Sequence, residues 1–155
     1  MWSRLLLAID QFDSGQVALA FTCQLAVDHG ADVRVLHVHE RSMNARVPPL
    51  ETGTQAQLLV DEAVFTLRLA GVGAEGRASS VRGDAVARVI VTESADWHCD
   101  AIVLGSRRLR GIERLSGRGV RERVVRLSPL PVITAPTPVV NGTHTPLPGR
   151  SDALG

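Results

Sequence analysis

The chain has 155 residues, 45% of them hydrophobic and 21% charged, with a formal net charge of +1 at pH 7. This composition is typical of one soluble globular domain, and the near-neutral charge gives no global field that would attract nucleic acid or an anionic membrane. The N-terminal run Leu5–Ile9 is too short for a signal peptide, and no run approaches the roughly 18 apolar residues of a membrane span. We therefore expect a cytoplasmic protein without a membrane segment.

All 17 cationic residues are arginine, so no lysine is available for Schiff-base chemistry or for a P-loop phosphate contact. The two cysteines, Cys23 and Cys99, lie far apart and have no metal-ligand spacing around them. We expect both to be reduced, small apolar residues of the interior.

Five short apolar runs alternate with segments of helical periodicity. The runs, which we predict as strands, are Leu5–Ile9, Val33–Val38, a weaker one near Arg77–Val81, Ala101–Leu104, and Val132–Ala135. This alternation predicts parallel strands, and the continuous apolar runs indicate strands buried on both faces. The predicted fold class is therefore α/β, a three-layer sandwich with a five-stranded parallel sheet and helices on both faces.

The helical segments have predicted starts and ends. The first segment has Asp13 as its predicted N-cap and Gly30 as its end. In the second, a 3.6-residue period connects Leu58, Leu59, Ala63, Leu67 and Ala70.

The two remaining helical segments are shorter. Asp84 is the predicted cap of the third, which has Val86, Val89, Ile90 and Glu93 on one face. The fourth is predicted near Gly119 to Leu127 and is stopped by the prolines that follow.

Two segments lack such periodicity. Glu40 to Gly53 contains Pro48 and Pro49, and we predict a mobile flap there. Residues 137–155 are rich in Pro, Gly, Ser and Thr and have little to bury, so we predict a disordered tail after a domain of residues 1–136.

Ligands of doubly wound sheets bind beyond the carboxyl ends of the strands. The residues to inspect there are therefore Asp10, Val38-His39, Gly83 and Gly105-Ser106. Asp10 either accepts a hydrogen bond from an adenine or ribose group or is a turn or cap residue at the start of the next helix.

The segment after Gly105 contains Gly111, Gly117 and Gly119. These glycines either let backbone N–H groups approach phosphate oxygens or merely permit turns.

Five stretches of the chain, from Arg4 to Pro136, resemble the universal stress protein family. They are LLLAID, RVLHVHE, VRGDAVARVI, DAIVLGSR and GVRERVVRLSPLPVITAP. The resemblance implies an adenine-nucleotide α-hydrolase-like fold and a homodimer formed through the last strand, Pro131 to Ala135. In this family some members bind ATP, and no catalytic activity is generally established.

The family's ATP loop follows the pattern Gly-x2-Gly-x9-Gly-Ser/Thr, and this chain departs from it. Gly105 matches the first glycine, whereas Arg108 and Arg118 stand where the second and third glycines are expected, and Gly119 replaces the Ser or Thr. Val120 keeps its spacing from Gly105. The resemblance also implies that Asp10 and Val38 line the adenine and ribose. The candidate ATP or AMP site is thus Asp10, Val38, Gly105, Arg108, Arg118, Gly119 and Val120.

Two functions follow from this degenerate loop. The first is a regulatory module that requires no cofactor, binds ATP weakly or not at all, and acts through dimerisation and a protein partner that the sequence does not identify. The alternative is an energy-sensing switch in which loop arginines bind the phosphates of ATP or AMP, with Mg²⁺ entering only with the nucleotide.

Other functions have less support in the sequence. Eight arginines lie between Arg107 and Arg126, but no aromatic residue accompanies them, which disfavours nucleic-acid binding. Ser106 lacks a sequence cue for an activating histidine. His37 and His39 share one face of a strand without a third ligand. We therefore expect no metal site, and no enzymatic activity beyond slow turnover of ATP bound at the phosphate site.

Overall fold

The computed structural model describes residues 1–41, 51–82, 85–106 and 119–137. The strands are β1 (Arg4–Ile9), β2 (Asp32–Arg41), β3 (Ala74–Arg82), β4 (Ala101–Leu104) and β5 (Val132–Thr134). The helices are α1 (Asp13–His29), α2 (Gly53–Leu69), α3 (Val86–Asp96) and α4 (Val120–Leu127). Within these ranges no helix is long and apolar enough to cross a lipid bilayer.

The strands form one parallel sheet in the order β3-β2-β1-β4-β5. The chain moves outward from β1 to β3 and then crosses back to β4, so the strand order reverses between β1 and β4. This reversal point is where α/β sheets generally bind ligands, beyond the carboxyl ends of the strands.

Successive residues of β1 pack into two separate cores. Leu5 and Leu7 join residues of α1 and α2 in one apolar cluster, whereas Leu6 joins residues of α3 and α4 in the other. Side chains alternate between the two faces of a strand, so both faces of the sheet are covered. The predicted three-layer α/β sandwich with a five-stranded parallel sheet is confirmed.

The structure corrects two of the predicted helix details. Asp13 is the first residue of α1 rather than its cap, because Phe12 occupies the N-cap position. Leu58 is 55% exposed, since the face of α2 that meets the sheet begins at Ala56 and Val60. Gly30 ends α1 as predicted, with a left-handed φ of 65° that glycine adopts without strain.

Several predictions fall on residues outside the described ranges. These include the cap at Asp84, the strand end at Gly83, most of the predicted flap and nearly all of the predicted tail. The flap region is described only at its two ends, where β2 continues to Arg41 and α2 begins at Gly53.

A buried carboxylate connects α3 to the sheet. Glu93 is almost fully buried and contacts Arg34 at 2.9 Å and Arg77 at 2.8 Å. The helical period placed Glu93 on the inward face of α3, and these two guanidinium groups explain how a charged residue is accommodated there. Nearby, burial raises the pKa of the Cys99 thiol to about 12, which leaves it protonated and unreactive.

The amino ends of β1 and β4 are joined by one carboxylate. Asp100, just before β4, accepts hydrogen bonds from the backbone N–H groups of Ser3 at 2.6 Å and Arg4 at 2.9 Å. Beside it, the guanidinium of Arg4 lies 5.5 Å from the ring centre of Trp97, whose indole N–H donates to Glu75.

We expect Asp100→Asn to destabilise the protein by about 1–2 kcal/mol at pH 7, because charge-assisted hydrogen bonds become neutral ones. The backbone N–H groups of Ser3 and Arg4 lower the pKa of Asp100 below 3.8. Its contribution is therefore fully present above that value and is lost as the pH falls through the lowered folded-state pKa. Urea unfolding at pH 7 and at pH 3 measures this. An equal difference between wild type and variant at both pH values would contradict it.

Candidate functional site

A cavity of about 520 Å³ lies beyond the carboxyl ends of β1, β2 and β4, next to the N-terminus of α4. Its volume lies in the range of small-molecule sites. The lining combines apolar side chains with a few polar and charged groups. The apolar ones include Ala8, Val38, Val86, Ile90 and Leu104. The polar ones include Asp10, His37, His39, Glu51, Arg121 and Arg123.

Five of the seven predicted site residues line this cavity. They are Asp10, Val38, Gly105, Gly119 and Val120. They come from the ends of three strands and the start of α4, which the topology brings together at one edge of the sheet. Arg108 and Arg118 lie outside the described residues. The role of all seven in nucleotide binding stays a prediction.

The carboxylate of Asp10 organises the turn into α1. Its Oδ1 accepts the backbone N–H of Phe12 at 3.0 Å, and its Oδ2 accepts the hydroxyl of Ser14 at 2.9 Å. This is the geometry of an Asx turn, which supports the interpretation of Asp10 as a turn residue before α1, whereas the N-cap position belongs to Phe12. A carboxylate has about four acceptor positions, and Asp10 therefore keeps capacity for a ligand hydroxyl as well.

Two glycines let α1 approach the strand ends closely. A Cβ on Gly15 would overlap the carbonyl oxygen of Asp10, and one on Gly105 would lie 3.1 Å from the carbonyl oxygen of Ser14. Gly105, the surviving glycine of the family pattern, thus has a packing role in addition to any contact with phosphate.

The start of α4 faces the cavity with backbone rather than with a hydroxyl. Gly119 is the N-cap residue and makes no side-chain cap. In the first turn, Arg121 donates to the carboxylate of Glu122 at 2.8 Å. The backbone N–H of Glu122 holds the pKa of that carboxyl below its ordinary value, and Arg121 acts in the same direction.

A buried polar pair forms another part of the wall. His37 Nδ1 lies 2.8 Å from the carbonyl oxygen of Ile9, and its Nε2 lies 2.7 Å from Glu51 Oε2. The ring of His39 is stacked beside that of His37, with 6.3 Å between centroids. Nδ1 of His39 is buried and has no hydrogen-bond partner among the described residues.

Sequence reasoning missed Ser14, Gly15 and Glu51. The spacing Asp10-x-Phe12-x-Ser14 after an apolar strand is a recognisable Asx-turn signal that could have identified the first. No local signal connects Glu51 to His37, because the two are separated by 14 positions in the chain.

We expect Gly15→Ala to destabilise the protein by roughly 1–3 kcal/mol, because the new methyl group forces α1 away from the strand ends. Gly53→Ala is the matched control, since a Cβ at that helical glycine meets no atom within 4 Å. Thermal and urea unfolding measure both. A Gly15→Ala variant as stable as the control would show that the turn at Asp10 can relax.

The family model and the solved structures of similar fold point to the same family. The model of the universal stress protein family matches residues 1–136. No curated protein matches the chain. A solved structure of a universal stress protein family member from Burkholderia pseudomallei has a TM-score of 0.66 and 22% identity, covering 87% of this chain and 96% of that one.

Two further structures of similar fold were solved with nucleotides. The universal stress protein from Archaeoglobus fulgidus in complex with dAMP has a TM-score of 0.62 and 26% identity, covering 86% of this chain and 98% of that one. A universal stress protein in complex with cAMP has a TM-score of 0.69 and 18% identity, covering 86% and 96%. With the family model matching 136 of 155 residues, the chain belongs to the universal stress protein family.

Proposed function

We propose that this chain is a non-catalytic regulatory module, which binds adenine nucleotides weakly in the cavity and acts as a homodimer on a partner protein. The observation that carries the proposal is the cavity at the point of strand-order reversal, lined by Asp10, Val38 and Gly105 but with Gly119 in place of a hydroxyl residue.

The nucleoside half of a nucleotide fits the cavity. Val38, Ile90 and Leu104 offer apolar surface to a base, and Asp10 retains acceptor positions for a ribose hydroxyl. The dAMP bound to the relative from Archaeoglobus fulgidus supports an adenine nucleotide as the ligand class.

The phosphate half of the site offers fewer hydrogen-bond donors to phosphate than the family pattern provides. Gly119 supplies a backbone N–H at the start of α4 but lacks the hydroxyl that the pattern places there. A hydrogen bond to a charged group contributes about 1.5–3 kcal/mol, so its loss alone weakens ATP binding by roughly ten- to a hundredfold.

A second candidate is the energy-sensing switch, and one observation favours it. The loop arginines predicted for it, Arg108 and Arg118, lie outside the described residues. However, two further arginines, Arg121 and Arg123, line the cavity at the start of α4. Guanidinium groups bind phosphate through paired N–H donors and could replace a missing hydroxyl. In that case the wild-type chain binds ATP tightly without a glycine cradle.

Two arrangements disfavour a catalytic pair of Ser106 and His37. The hydroxyl of Ser106 donates to the carbonyl oxygen of Pro136 at 3.1 Å, and both ring nitrogens of His37 are engaged. A serine nucleophile needs a histidine nitrogen free to accept its proton. Neither residue, as placed here, is available to the other.

Calorimetric titration with ATP and Mg²⁺ tests the proposal. We expect wild type to bind with a dissociation constant on the order of 100 µM or weaker. The variant Arg108→Gly/Arg118→Gly/Gly119→Ser restores the family pattern and should bind at least about tenfold more tightly.

The control for that titration is Arg108→Gly/Arg118→Gly/Gly119→Ala, which adds a side chain at position 119 but no hydroxyl. Micromolar binding by wild type would favour the arginine switch instead. No binding by any of the three proteins would refute the cavity as a nucleotide site.

The homodimer is proposed through β5, the outer strand next to β4. Ala135 N–H donates to Leu104, and Ile102 N–H donates to Pro131. Alternate residues of a parallel strand face the same neighbour, so the N–H groups of Val132 and Thr134 point away from the sheet. On α4, Val125 and Leu127 are large apolar side chains that are more than half exposed. The outward N–H groups of β5 and the exposed apolar side chains of α4 together support pairing with a second copy of the chain.

We expect wild type to sediment as a dimer at micromolar concentration and Thr134→Pro to weaken that dimer at least about tenfold, because proline removes an outward N–H donor. Thr134→Val keeps the donor and serves as the matched control. Circular dichroism verifies that both variants fold. A wild-type monomer, or a Thr134→Pro dimer as tight as the control, would overturn the β5 interface.

A further inference from the structure

The contacts of His37 fix where its protons lie. The carbonyl oxygen of Ile9 can only accept, so Nδ1 at 2.8 Å must carry a hydrogen. The remaining nitrogen, Nε2, lies 2.7 Å from Glu51 Oε2. That distance is a hydrogen bond, and it requires a second proton between the two atoms. The pair therefore holds two protons, either as imidazolium and carboxylate or as imidazole and carboxylic acid.

The pair is nearly closed to water. The side chains of His37 and Glu51 are 5% and 8% exposed. If the proton between them left, the Nε2 lone pair would face a carboxylate at hydrogen-bond distance without solvent to separate them. A buried pair of that kind is unfavourable, so the contact would open.

We propose that His37 and Glu51 form a proton-dependent bridge, which holds the start of α2 against the cavity wall and releases it when the shared proton is lost. Glu51 directly precedes Thr52, the N-cap of α2, whose hydroxyl accepts the N–H of Gln55. Release of Glu51 therefore displaces a wall residue and the cap next to it together.

The bridge also sets the charge of the wall. With its second proton the pair is neutral overall, and without it the pair carries one negative charge. Other charged or titratable groups line the same cavity on three elements. These are Asp10 after β1, His39 and Glu40 on β2, and Arg121, Glu122 and Arg123 on α4.

The elements packed on the same face of the sheet add few charges near the bridge. The β3 residue in register with His37 is Ala78, and the next one facing the same side is Ser80. Helices α1 and α2 contribute Gln16 and Glu62 to a smaller neighbouring cavity. Among the described residues of these elements, none therefore neutralises the added negative charge of an open bridge from this side.

One consequence concerns ligands and rests on the proposed function. Loss of the proton opens the wall and places a negative charge beside an anionic nucleotide, so both effects lower nucleotide affinity as pH rises. Linkage of one proton limits the change to tenfold in the binding constant per pH unit.

The bridge itself is tested without a ligand, by nuclear magnetic resonance of the ¹⁵N-labelled full chain from pH 5 to 9. We expect the His37 ring to keep Nδ1–H throughout and to lose its second proton as pH rises. The amides of Glu51, Thr52 and Gly53 should shift with the same midpoint and exchange faster with solvent above it.

The variant Glu51→Gln distinguishes a proton-dependent bridge from a contact that only packs the two side chains together. The glutamine amide can donate to a neutral Nε2, so residues 51–53 should become insensitive to pH in this variant. Glu62→Gln, the same change within α2 and away from the bridge, should leave the wild-type titration unaltered. If residues 51–53 do not follow His37 in wild type, or titrate identically in Glu51→Gln, the bridge is wrong.

The nucleotide titrations stand apart from this outcome. Absence of nucleotide binding with an intact bridge titration would reject the proposed function alone. Nucleotide binding with no pH dependence of residues 51–53 would reject the bridge alone.

Discussion

Strand β1 is paired on both edges and covered on both faces. Its complete burial constrains where the neighbouring strands and helices can lie. Leu5, Leu6 and Leu7 have no exposed surface. A strand in this position must be flanked by crossovers on opposite faces, and the chain supplies them with α1 and α2 on one side and α3 and α4 on the other. The cavity lies where those crossovers diverge.

Two carboxylates at opposite ends of the sheet accept hydrogen bonds from residues at or beside the two ends of β1. Asp100 accepts two backbone N–H groups at the amino end of β1, and Asp10 accepts the N–H of Phe12 and the hydroxyl of Ser14 in the turn at its carboxyl end. Asp100 connects the amino ends of β1 and β4, and Asp10 sets the direction in which α1 leaves the sheet. The same pairing that stabilises the fold therefore positions the rim of the site.

The sequence allowed β1 and β4 to be predicted well, because a strand buried on both faces is a continuous apolar run. β4 has the predicted bounds Ala101–Leu104. The edge strand β3 is at most partly buried and spans Ala74–Arg82, which is longer than the run predicted near Arg77–Val81. Surface patterns were less informative. Leu58 continues the apolar period of α2 but faces outward, and the burial of Val60, which lies beside Gly76 of β3, shows which face meets the sheet.

The candidate site was predictable to the extent that topology determines it. Asp10, Val38 and Gly105 follow or end strands, and parallel strands bring their carboxyl ends together. The partner of His37 was not predictable, because a contact between β2 and the segment before α2 depends on how the chain returns to the sheet. The structural role of Asp10 in the turn into α1 was one of two alternatives, and its bonds to Phe12 and Ser14 support it without excluding the other.

The positions of the two tryptophans have a practical consequence. Trp2 precedes β1 and Trp97 lies between α3 and β4, so both indoles sit at the amino end of the sheet, opposite the cavity. Intrinsic fluorescence therefore reports unfolding of that end and is silent to occupancy of the cavity. Phe12 is half-exposed at the cavity rim. Replacing it with tryptophan would place an indole at the site, so that ligand binding could be followed by fluorescence.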